Sequence, residues 1–213
     1  MATYQGDMNL HHIRYYAALM HANEQRLRPS ANFISRVQSS VTENMRSILV
    51  DWLVDVSVHF EVMSETLHFA VNYIDRALSK ISVEKHRLQL VGVACMKIAD
   101  VFNERSKEYY RQENASEYSY ITADEYTPAE VIQMEKQVLN ILNFDLYAPT
   151  AIAFIKAYNS VLQVTDSKVM LCACYLADLM LLPSSSNKYP PSLIGSSCLF
   201  ISHVVNGKLQ VIN

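Results

Sequence analysis

Turn-forming residues are scarce in this sequence. Its 213 residues include four glycines and six prolines, well under the roughly 7% and 5% of an average chain, which argues against a turn-dense all-β fold. Charge is sparse too. Only 18% of residues are charged and the formal net charge is −3, so the basic excess that nucleic-acid or anionic-membrane binding calls for is missing, and neither partner is expected. No apolar run approaches the roughly 20 residues that span a bilayer. The most apolar stretch, Val169 to Leu182, is broken by Asp178. The N-terminal region holds His11, His12 and Arg14 but no apolar block of signal-peptide type, which predicts an intracellular chain, in the nucleus, the cytoplasm or both. Cys95, Cys172, Cys174 and Cys198 follow no framework spacing and read as reduced thiols.

Catalytic signatures are equally lacking. The few glycines are too scattered for a phosphate-cradling loop, and neither G-x-S-x-G nor H-E-x-x-H occurs. His11 and His12 with Cys172 and Cys174 lack zinc-site spacing. The expectation is a protein with no catalytic residue, no cofactor and no metal.

What is present is helical periodicity in a chain that is half apolar. From Met45 to Phe60, Met45, Ile48, Leu49, Trp52 and Val56 recur at helical spacing, while Val50, Leu53 and Val54 fill a neighbouring arc. Ser47, Asp51 and Asp55 remain as a narrow polar strip, so this helix is either central or packs on one side and binds something on the other. Ser64-Glu65 reads as the start of the next helix, and Ser82 precedes a third with Val91, Ala94, Cys95, Ile98, Val101 and Phe102 on one face. A short helix is expected over Ala115 to Thr122. Thr127-Pro128-Ala129-Glu130 combines a threonine cap, a first-turn proline and a glutamate three residues on, opening a helix to about Leu142. Asp7 to Leu27 reads as a separate leading helix. Ala151 to Val161, Ser167 to Leu182 and Leu193 to Val205 read as three more. No strand alternation stands out, so the fold class is all-α.

The chain also repeats itself. Leu90-Val91-Gly92-Val93-Ala94-Cys95-Met96-Lys97-Ile98 aligns without gaps with Leu193-Ile194-Gly195-Ser196-Ser197-Cys198-Leu199-Phe200-Ile201. Glycine inside a helix costs about 1 kcal/mol and marks close packing, so two of four glycines in register is the telling coincidence. The implied organisation is an N-terminal helix and linker over residues 1–40, a first helical module over 41–147, and a second over 148–213 that falls roughly two helices short of the first.

Three charges sit inside apolar stripes: Arg46, Asp75 and Glu135. Unpaired burial costs several kcal/mol, so each needs a partner or an interface. Arg46 and Asp75 are candidates for a structural ion pair. Glu135 either takes Lys97 as its cation or flanks the core with its carboxylate in water.

The ordered set Met45-Arg46-Ser47-Ile48-Leu49-Val50-Asp51-Trp52-Leu53-Val54-Asp55-Val56, Glu65-Thr66-Leu67-His68, Val71-Asn72-Tyr73-Ile74-Asp75-Arg76, Leu88-Gln89-Leu90-Val91-Gly92, Tyr120-Ile121-Thr122 and Asn143-Phe144-Asp145-Leu146 resembles the first cyclin box of A- and B-type mitotic cyclins. The resemblance implies two tandem helical boxes, the second truncated here, and a regulatory subunit that binds and activates a cyclin-dependent Ser/Thr kinase and helps recruit substrates. In that family the first box grips the kinase's αC helix and seats its glutamate against the β3 lysine. Carried over by position, the kinase-binding surface comprises Ile98, Val101, Phe102, Glu135, Leu139 and Phe144. A second family surface, a docking groove for Arg-x-Leu-containing substrates or inhibitors, maps to Met45, Ile48, Leu49, Trp52, Asp55 and Gln89. Without the resemblance, Trp52 reads as core.

Three departures stand against the family pattern. Val101 replaces the usual lysine, the segment Arg105 to Glu117 is long and lacks the usual prolines, and the short second box is expected to leave an apolar face open. The competing reading is a non-activating cyclin-box scaffold that binds other proteins.

Overall fold

The computed structural model describes residues 10–104, 115–163 and 165–207, with no side-chain detail at 10–14 and 17. Among these residues the secondary structure is helical, in the order α1 (Leu10–Arg26), α2 (Phe33–Val37), α3 (Glu43–His59), α4 (Ser64–Leu78), α5 (Leu88–Asn103), α6 (Ala115–Tyr120), α7 (Pro128–Ile141), α8 (Ala151–Leu162), α9 (Ser167–Leu179) and α10 (Pro191–Val205). Within the segment read as an insertion, residues 105–114 lie outside the described residues. No described helix is long and apolar enough to cross a membrane.

The centre of the first module is α5, whose residues 90–100 are all buried. It packs between α4 on one side and α7 on the other. The expected central position of α3 is therefore its alternative: α3 buries Arg46, Leu49, Val50, Leu53 and Val56 while Ile48, Val54 and Val58 face outward. A second, smaller core joins Ile152, Ile155, Val169, Ala173 and Leu199 of α8, α9 and α10.

The two registered glycines do the same job in each module. A Cβ on Gly92 would lie 2.6 Å from Leu49 Cδ1, and one on Gly195 would lie 2.8 Å from the Ala151 carbonyl and 3.1 Å from Phe154 Cβ. In both modules the third helix thus passes close against the first, α5 on α3 and α10 on α8, at the one position where hydrogen fits.

Helix starts divide into local and remote caps. Thr127 forms a capping box with Glu130 on α7, and Thr150 caps α8. The expected cap at Ser64 is not made: the N-cap position is Met63, without a side-chain bond, and Ser64 Oγ instead donates to Asp178 at 2.7 Å. The start of α4 is satisfied by Glu104, whose Oε1 accepts from the Met63 N–H and the Thr66 hydroxyl, each at 2.6 Å. Likewise Glu24 of α1 accepts from the Ser192 N–H and hydroxyl, each at 3.0 Å, at the start of α10. Carboxylates suit these positions because a helix N-terminus carries unpaired N–H groups and a positive dipole end. Ser82 does not cap α5, which begins at Leu88 after a 3-10 turn.

Candidate functional site

The polar junction between the modules is built on Arg46. Its Nε and Nη2 donate to the two Asp75 oxygens at 2.7 Å each, and its Nη1 donates to the carbonyls of Leu181 and Leu182 at 2.8 Å each. Asn187 adds a donor to Asp75 at 2.7 Å. Burial works against the guanidinium charge, but Asp75 more than offsets it and holds the Arg46 pKa above its ordinary value. The junction includes His68 and Ser64, which both bond Asp178, and Lys156, which bonds Glu65.

The surface expected to bind a partner draws on the C-terminal end of α5, the flank of α7, which packs against α5, and the turn after α7. Helix α7 ends in a Schellman motif: the Asn143 N–H donates to the Asn140 carbonyl at 3.1 Å and the Phe144 N–H to the Leu139 carbonyl at 3.0 Å. Asn143 and Phe144 have φ of 53° and 55°. Asparagine tolerates this left-handed region, whereas a bulky phenylalanine there is strained and persists only because the surroundings hold it. The holders are visible. Tyr73 donates to the Leu146 carbonyl and Arg76 to the Asp145 carbonyl, each at 2.9 Å. Phe144 is left 66% exposed.

Beside this turn, Phe102 stacks edge-on against Phe69 at 5.4 Å and lies 6.5 Å from Tyr147, whose hydroxyl bonds that of Tyr16 on α1. Val101 is 48% exposed. Leu139 is partly buried against the core. Lys97, one turn before Val101, is buried and donates to both Glu135 oxygens at 3.0 Å. Of the six residues expected on this surface, Ile98 does not reach it: it is 3% exposed and belongs to the core, because α5 is covered on that side as well.

The second expected surface lies along α3. Met45, Ile48, Trp52 and Asp55 fall at spacings of three and four, a single helical stripe. Ile48 and Asp55 are exposed, Met45 and Trp52 half-buried. Gln89, half-buried, sits one turn before Gly92, where α5 meets Leu49. Leu49 itself is buried and forms the floor under the stripe. Trp52 is both packed against the core and partly open.

The second module leaves apolar side chains in the open: Phe200, Ile201 and Val205 on α10 and Leu171 and Tyr175 on α9 are all exposed. Phe200 aligns in the repeat with Lys97, which is buried in the first module. No group of three or more His, Cys, Asp or Glu among the described residues is arranged to hold a metal ion.

The chain is similar over most of its length to known proteins. Residues 15–147 match the family described as cyclin, N-terminal domain, and residues 149–210 the family described as cyclin, C-terminal domain. Among curated relatives, Cyclin-A1-2 of Oryza sativa subsp. japonica is 41% identical over 186 residues, covering 85% of this chain and 38% of that protein. Cyclin-A3-3 of Arabidopsis thaliana is 39% identical over 184 residues, covering 84% of this chain and 55% of the relative. The chain thus spans about half or less of the length of these proteins. Among solved structures, a viral cyclin from herpesvirus saimiri superimposes with a TM-score of 0.76 at 22% identity, over 90% of this chain and 82% of that one. A chain of the yeast RNA Pol II CTD kinase CTDK-1 complex gives 0.66 at 15% identity, over 90% and 63%. At these identities the superpositions speak for the fold.

Proposed function

The chain belongs to the cyclin family, and on that footing we propose that it is the regulatory subunit of a cyclin-dependent Ser/Thr protein kinase in cell-cycle control, which it binds and activates. The observation that carries this reading is the turn after α7. A non-glycine, bulky, apolar side chain held 66% exposed in a left-handed conformation is costly for stability and useful only as a contact for something else. Together with Val101 and Phe102 at the end of α5 and Leu139 on α7, Phe144 would make a suitable aromatic anchor for an apolar helix. Occupied by the kinase's αC helix, this surface would hold that helix inward and complete the phosphoryl-transfer site. The chain supplies no chemistry of its own in this mechanism.

Glu135 plays a supporting part. Closed on Lys97, it keeps α5 and α7 in register and leaves the rim at Val101 apolar. The stripe Met45, Ile48, Trp52 and Asp55, with Gln89 beside it, is proposed as the docking groove for Arg-x-Leu segments: leucine over the apolar floor, arginine toward Asp55. A second reading, a scaffold that binds other proteins without activating a kinase, is favoured by Val101, which gives the rim no cation.

The deciding experiment is a titration of the purified chain into a mitotic-type cyclin-dependent kinase, following phosphorylation of a generic peptide. Saturable stimulation that falls at least about tenfold with Phe144→Ala, with unchanged circular dichroism, supports activation. A folded chain that neither binds nor stimulates leaves the scaffold reading.

A further inference from the structure

Next to the same turn lies an open cleft of about 230 Å³ between the C-terminal ends of α1, α4 and α7. Its wall is unusually basic for a chain whose net charge is −3: Arg26, Arg28, Arg76 and Lys80 line it, against one carboxylate, Asp145. Part of this charge is structural. Lys80 Nζ donates to the Ile141 carbonyl at 2.8 Å, Arg76 Nη1 to the Asp145 carbonyl at 2.9 Å, and Arg26 pairs with Asp145. Among the described residues, Arg28 makes no hydrogen bond or ion pair although it is half-buried.

A charge count decides whether the structural roles use the cluster up. Each of the three helix C-termini that end here, of α1, α4 and α7, presents the equivalent of about half a negative charge. Together with Asp145 they offset about two and a half of the four cations, and about one and a half positive charges stay uncompensated. The Arg76 pKa is lowered chiefly by burial and in small part by Arg26, with Asp145 and Tyr73 opposing. The surplus matches a phosphate monoester, which carries roughly −1.5 to −2 at neutral pH and offers three acceptor oxygens to guanidinium forks and an ammonium. The shape matches as well. The cleft is open to solvent at exposed Arg26 and Lys80, so a side chain on a peptide can enter while its backbone stays outside.

We propose that this cleft, held by Arg26, Arg28, Arg76 and Lys80 and bordered by Asn143, is a phosphate-binding site for a phosphorylated serine or threonine of a partner protein. It is distinct from both surfaces described above and does not depend on kinase activation. Arg76, buried and bonded to the Asp145 carbonyl, sets the floor, and exposed Arg26 stands at the rim, paired with the Asp145 carboxylate. Arg28 provides uncommitted donors, and Lys80 the two ammonium protons left over from its bond to the Ile141 carbonyl.

The test uses fluorescence anisotropy with the whole chain and two labelled six-residue alanine peptides, one carrying a phosphoserine and the other serine. The expected result is saturable binding of the phosphopeptide at least about tenfold tighter than the serine peptide, and a loss of about fivefold or more in each of Arg28→Gln and Lys80→Gln. Both variants keep a donor on a flexible side chain at the surface, and circular dichroism checks that they fold. Equal affinity for the two peptides, or phosphopeptide binding unchanged in both variants, would overturn the site. Competition by inorganic phosphate at the same concentration as the phosphopeptide would overturn the peptide source and leave a site for free phosphate.

Discussion

Lys97 and Glu135 face each other across the α5–α7 contact, the ammonium 3.0 Å from both carboxylate oxygens, with side chains only 5% and 19% exposed. Helix α5 is buried on every side over this stretch, so the lysine has no route to water that does not pass the glutamate. Glu135→Gln keeps the shape and removes the charge. It should destabilise the chain by about 2 kcal/mol, the loss of a charged hydrogen-bond pair around a buried cation, and lower the melting temperature by roughly 4–8 °C. Unchanged stability in urea unfolding would show that the pair contributes nothing.

Phe144 offers a separation of stability from function. Replacing it with glycine removes a bulky residue from φ of 55° and should raise stability by about 1 kcal/mol, while abolishing any stimulation of a kinase. Chemical denaturation and kinase titration on the same sample check both halves; loss of stability would mean that Phe144 packs more than its 66% exposure implies.

The two registered glycines should not respond alike. At Gly92 an added methyl meets the end of the Leu49 side chain, which can turn aside, and the gain in helix propensity offsets part of the strain. At Gly195 it meets backbone, the Ala151 carbonyl at 2.8 Å. Gly195→Ala is expected to cost about 2–3 kcal/mol and Gly92→Ala about 1 kcal/mol or less. Comparing the two unfolding midpoints tests the ordering.

Burial raises the Cys95 thiol pKa far above its ordinary value and that of Cys198 to about 11 from 9.0. A thiol whose pKa is raised on folding favours the protonated, folded form. That contribution is complete below pH 9 and is lost as pH climbs from about 9 through 11. Stability should therefore fall over this window. At pH 8, alkylation followed by mass spectrometry should modify Cys95 and Cys198 only after unfolding.

Much of this was written locally in the chain. The capping box at Thr127 and Glu130 depends on four consecutive residues, and the α10 pattern depends on neighbours three and four apart, so both read directly from sequence. The pairing of Arg46 with Asp75 follows from the cost of burying either alone. The caps supplied by Glu104 and Glu24 could not be read, because each comes from another helix; Ser64, a better local candidate than Met63, was drawn away by Asp178. Short α2 carries too few turns for periodicity to register. Ile98 was placed on the surface by position within a family pattern, and its burial depends on how α7 lies across α5. The basic cleft combines residues from three distant segments, none of which is conspicuous by itself.

Arg46 has one further implication. Half of its hydrogen bonds go to Asp75 within the first module and half to the Leu181 and Leu182 carbonyls from the second. A first module cut free of the second would lose two of the four acceptors of Arg46 and the Asn187 donor to Asp75, and water would have to replace them. The two modules therefore share one buried ion network, and the first module expressed alone should unfold at lower denaturant than the same module within the whole chain.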